Sequence, residues 1–171
     1  MAATQVMVRE SRFHQDGALP LQALEQQARD NQTLRLHLLE LAMALFQVRS
    51  GAYGQAQSGL QSLRALCRVF QELEQQQFRR EETVFYPSLE EAAPRLRGLL
   101  GELRRDLLAF RHAFESFREA VLIFNASGEL GILPRVGQEL AEILSRHLHR
   151  QEAELFPLLQ ELIEDHASLH L

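Results

Sequence analysis

Gln77-Phe-Arg-Arg-Glu81-Glu82-Thr-Val-Phe-Tyr-Pro87 and His147-Leu-His-Arg-Gln151-Glu152-Ala-Glu-Leu-Phe-Pro157 are one pattern written twice. In each, two polar residues stand at i and i+4, an acidic residue follows, and an aromatic residue and a proline close the stretch. The i, i+4 spacing sets two side chains on one face of a helix. Facing helices of a bundle use such pairs of histidines and carboxylates, aimed inward, to hold metal ions. Here only one of the four slots is histidine, His147, and only one is glutamate, Glu81; Gln77 and Gln151 fill the others. The repeat predicts a bundle shaped to hold metal, with most of the donors replaced.

Outward from this repeat, the chain resolves into four amphipathic helices. Helix one is expected from about Leu19 to Val48, with Leu24, Ala28, Leu34, Leu38, Leu41 and Leu45 forming a buried stripe. Helix two is expected over about 59–91 on Leu63, Leu66, Phe70, Leu73 and Val84, and helix three over about 99–124 on Leu103, Phe110, Phe114, Phe117 and Val121. Helix four starts near Pro134, a residue suited to a first helical turn, and carries Val136, Leu140, Ile143, Leu144, Leu158 and Leu162. Glycine and proline mark the breaks at 50–54, at 93–101 and at 125–131. No strand alternation is present. The expected fold is all-α, an antiparallel up-down-up-down four-helix bundle over residues 19–165, with an N-terminal arm at 1–18 and a tail at 166–171.

A second repeat joins the halves. Asp30-Asn31-Gln-Thr-Leu34-Arg35-Leu-His-Leu38 aligns with Asp106-Leu107-Leu-Ala-Phe110-Arg111-His-Ala-Phe114, so each half is a helix pair. At about 100° of rotation per residue, Asn31 and Leu107 point near the centres of their stripes. Gln77 and Glu81 share the stripe of helix two, and His147 and Gln151 that of helix four. Five polar side chains then converge on one apolar interior. An unpaired buried neutral group costs roughly 1–3 kcal/mol and a charge costs more, so something must hold Glu81. A metal ion would do so, as would protonated His147, Arg35 or Arg111 reaching in, or a hydrogen-bonded network with no ligand.

With these residues in place, the chain resembles the hemerythrin-like family of HHE cation-binding domains over about residues 19–165. The resemblance implies a four-helix bundle whose inward histidines and carboxylates bind a non-haem di-iron centre, in proteins that handle oxygen, nitric oxide or peroxide, repair iron centres or sense redox state. Carried over, the helix-one histidine position falls on Asn31, the helix-two pair on Gln77 and Glu81, and the helix-three position on Leu107. The helix-four pair falls on His147 and either Gln151 or, with one more intervening residue, Glu152. Only Glu81, His147 and Glu152 keep ligand chemistry. Iron needs imidazole and carboxylate donors, and a leucine and three neutral amides argue against a full di-iron centre. A single divalent ion or iron at low occupancy on Glu81, His147 and waters is the most this set allows. Two function classes follow: a sensor with a reduced or absent metal site, or a protein-binding regulator on the same bundle. The second draws on a weaker similarity to the regulator of sigma D family of anti-sigma factors, at Leu66-Cys67, Pro94-Arg-Leu96 and residues 144–155.

The remaining features set limits. Of 171 residues, 46 % are apolar, enough for one domain with its own core. Cys67 is the only cysteine, and no long apolar run opens the chain, which points to a reducing, cytoplasmic compartment. A net charge of −5 with both signs interspersed argues against direct nucleic-acid binding, and no stretch is apolar enough to span a bilayer. Neither a nucleophile with a base nor a phosphate loop is present, so no catalytic residue is assigned. His112 and His149 are expected to face away from the interior and His37 to sit at the edge of its stripe. The i, i+4 pair His166 and His170 reads as a frayed terminus. Leu36, Leu39, Met43 and Phe46 complete an apolar ring around helix one, so a homodimer or a protein partner is expected there.

Overall fold

A computed structural model of the protein describes residues 21–168. Helix α1 (Leu21–Arg49) turns back at Gly51 into α2 (Tyr53–Leu73), which runs on through two π-helical segments, Glu74–Phe78 and Glu81–Phe85, into α3 (Tyr86–Ala92). A 3₁₀ turn at Pro94–Leu96 leads into α4 (Arg97–Ser127), which Gly128 ends in a left-handed cap at φ 73°. Then α5 (Leu133–His149) continues through a third π-helical segment, Arg150–Leu155, into α6 (Phe156–Ser168). These elements make four rods: α1, α2 with α3, α4, and α5 with α6. Among the described residues there is no strand. The rods pack α1 on α2, α4 on α5, α1 on α5 and α2 on α4. Short connections between packed neighbours make this the expected up-and-down four-helix bundle.

Several expected boundaries move. Helix two begins at Tyr53, not 59, and Gly98 and Gly101 lie inside α4 instead of breaking the chain before it. Residues 166–168 continue α6, whereas His170 and the arm at 1–18 lie outside the described residues. Ala28 is exposed. So is Val84, while its neighbour Phe85 is buried. The cause is the π-helical backbone of the second rod, whose i→i+5 bonds insert extra residues and rotate everything beyond them.

The core runs the length of the bundle. Phe70, Phe78, Phe110 and Phe114 fill the space between α2 and α4, with Phe110 and Phe114 stacked at 5.6 Å and Phe78 edge-on to Phe110 at 5.0 Å. Two glycines let rods approach closely. A Cβ at Gly59 would meet Val48 Cγ1 at 2.8 Å, the Ala44 carbonyl oxygen at 2.9 Å and Gln47 Cβ at 2.9 Å. A Cβ at Gly137 would meet only the Leu45 side chain, its methyls at 2.8 Å. Because backbone cannot yield as a leucine tip can, Gly59→Ala is expected to cost about 1–3 kcal/mol, and more than Gly137→Ala. Urea unfolding of the two variants side by side checks the order.

Candidate metal centre

The two doubled segments meet in the interior. Asn31, Gln77, Glu81, His147 and Gln151 are all buried, as is Leu107. Glu81 is the hub. Its Oε1 accepts hydrogen bonds from Gln27 Nε2 at 2.5 Å and Gln77 Nε2 at 3.1 Å. Its Oε2 accepts from Tyr86 Oη at 2.8 Å and Gln151 Nε2 at 3.0 Å, and lies 3.1 Å from His147 Nε2. Three rods supply these groups: α1, the second rod and the fourth. The third rod has the buried Leu107 at the matching position and gives Glu81 no hydrogen bond, so the polar cluster is lopsided.

Burial alone would push the Glu81 carboxyl up. The hydrogen bond and positive charge of His147, with hydrogen bonds from Gln77 and Tyr86, outweigh that and hold it below its ordinary 4.5. Burial and the charge of Glu81 push the Tyr86 phenol well above its ordinary value, so it remains a donor. A second layer ties the donors together: Gln151 Nε2 donates to Tyr86 Oη at 3.0 Å, and Gln27 Nε2 lies 3.3 Å from Gln151 Oε1 and 3.4 Å from Asn31 Oδ1. Among the described residues, two buried side-chain atoms lack a partner, Asn31 Nδ2 and His147 Nδ1.

Gln151 is the helix-four residue that faces the core, and Glu152 is half-buried in an ion pair with Arg35. Arg111 pairs with Glu74 at 3.1 Å and with Glu82. Neither arginine reaches Glu81. His37 pairs with Glu40 at 2.9 Å, and His112 and His149 are exposed. Sequence reasoning missed three residues. Gln27 lies one turn before Asn31 on the same stripe, a signal present in the spacing. Tyr86 lay hidden, because five residues of α-helix would turn it about 140° from Glu81; the π-helical segment 81–85 brings it onto the same face. Asp106, buried beside Leu107, takes Arg146 Nε at 2.8 Å and Arg150 Nη1 at 2.5 Å and clamps α4 to α5.

A di-iron centre does not fit this donor set. Metal ions need lone pairs, whereas the groups around Glu81 are amide, phenol and imidazole hydrogens already directed at its oxygens. Among the described residues no group of three histidine, cysteine, aspartate or glutamate side chains could share an ion. No helix among them is long and apolar enough to cross a membrane.

No curated protein and no solved structure matches the chain. The family model described as the hemerythrin HHE cation binding domain matches residues 22–159, which takes in all four rods and both copies of the doubled segment. The bundle, the doubled segment and that match agree: the chain belongs to the hemerythrin HHE cation-binding family.

Proposed function

We propose that this protein is a regulatory member of its family, in which the ancestral metal position has become a hydrogen-bonded polar core. The observation that carries the reading is the crowding of Glu81 by Gln27, Gln77, Tyr86, Gln151 and His147. A buried carboxylate needs such donors, and with them in place it requires no cation. Activity then lies in what the bundle contacts and not in chemistry at its centre. This is the protein-binding class.

One observation favours a second reading. Two ligand atoms about 2.1 Å from one ion and at right angles to each other stand roughly 3 Å apart, close to the 3.1 Å between His147 Nε2 and Glu81 Oε2. A single divalent ion held by these two and waters is therefore the reduced site to test against. Elemental analysis of tag-free protein from iron-supplemented cells, with its visible spectrum, decides. Metal far below one ion per chain and no oxo-bridge absorption is the expected result. One ion per chain that is lost in His147→Ala would establish the reduced site, and two irons would overturn the proposal.

A further inference from the structure

The outer face of α1 owes nothing to the interior cluster. On one side of this helix Leu34, Leu41, Ala44, Leu45 and Val48 are buried. On the other, Leu36 is 57 %, Leu39 62 %, Met43 63 % and Phe46 71 % exposed. A helix apolar all round belongs inside a structure, covered on both sides. Beside the exposed stripe an open groove of about 640 Å³ runs between α1 and the fourth rod, walled both by apolar residues such as Leu39, Ala42 and Ala141 and by Arg35, His149 and Glu152.

We infer that a second copy of this chain covers the stripe, in a two-fold dimer whose paired α1 helices run antiparallel. The spacing admits this occupant. From Leu36 to Leu39 is three residues, to Met43 four, to Phe46 three, and four residues beyond either end stand the neutral Gln32 and Ser50. The pattern is a palindrome, so a reversed α1 presents the same knobs at the same intervals. Leu36 then meets Phe46 of the partner subunit, and Leu39 meets Met43 of the partner subunit. An isologous contact also demands that no charge meet its own copy at the axis. No charged residue stands between Leu36 and Phe46 on the stripe, and of the charges beside it Arg35 pairs with Glu152 and Glu40 with His37.

Area supports the pairing. Four side chains more than half exposed offer roughly 400 Å² of apolar surface, the size of the patch of about 300–600 Å² that often marks an interaction site. With the groove walls, the face stays below the roughly 800 Å² that each partner of a standard interface buries, so the dimer is expected to dissociate on dilution.

Sedimentation equilibrium on the full chain tests this. The expected mass is twice the 19.6 kDa of one chain, falling to a single chain in Leu39→Glu/Met43→Glu with helical content and melting retained. A matched pair on α4, Leu122→Glu/Ile123→Glu, where both residues are also exposed, should stay dimeric. Orientation is read with Leu36→Cys and Phe46→Cys, each combined with Cys67→Ser. Mixing the two should give a disulfide that neither forms alone. A wild-type monomer at every concentration, a dimer indifferent to the α1 charges, or a disulfide within Leu36→Cys alone would overturn the inference.

Discussion

Glu81→Ala is expected to destabilise the bundle by about 3–5 kcal/mol, because several buried donors lose their acceptor at roughly 1–3 kcal/mol each. The loss is large because the alanine makes no acceptor for Gln77, Tyr86, Gln151 or His147, all of which stay buried. Glu81→Gln keeps the size and one acceptor oxygen but points an amide at donors, and should cost less, about 1–3 kcal/mol. Urea unfolding measures both; a Glu81→Ala loss under about 1 kcal/mol would show that the cluster does not hold the rods together. The same residue sets an acid limb. Its folded-state pKa lies below the ordinary 4.5, so its contribution is full above that value and drains away as pH falls through the folded one. In Glu81→Gln this part of the acid limb should vanish, so the stability difference from wild type shrinks with falling pH.

Phe110→Ala is expected to cost about 3–5 kcal/mol, as deletions of fully buried rings do. Phe110 lies at the centre of the aromatic cluster, 5.0 Å from Phe78, 5.6 Å from Phe114 and 6.3 Å from Phe70. The cavity would open beside the polar cluster, because Phe78 also stands edge-on to His147 at 5.9 Å. Phe110→Leu leaves a smaller void and should cost distinctly less. Equal losses in the two variants would mean that the site collapses freely and the rings are loosely packed.

The apolar stripes and their glycine and proline breaks made four helices legible, because periodicity of 3.6 registers directly in the order of residues. Asn31, Gln77, Glu81, His147 and Gln151 followed from the same periodicity. What escaped notice depended on departures from it. Tyr86 and Phe85 turn inward and Val84 outward only because the helix widens at 81–85, and no single residue announces an i→i+5 bond. Arg35 and Arg111 were candidates to neutralise Glu81, yet each finds a carboxylate nearer the solvent, Glu152 for one and Glu74 with Glu82 for the other. A long side chain reaches outward at less desolvation cost than inward. The apolar outer face of α1, by contrast, was visible in the wheel and is present in the structure.

The chain has no tryptophan and two tyrosines. Tyr53 is almost fully exposed, and Tyr86 is buried with its hydroxyl on the Glu81 carboxylate. Tyrosine absorption and emission from the interior of this bundle therefore come from one residue, Tyr86, bonded to the group that matters most. A phenol donating to a carboxylate emits weakly and absorbs at longer wavelength than one in water, so in Tyr53→Phe, where Tyr86 is left as the sole tyrosine, light alone distinguishes an intact interior from a broken one, without a label.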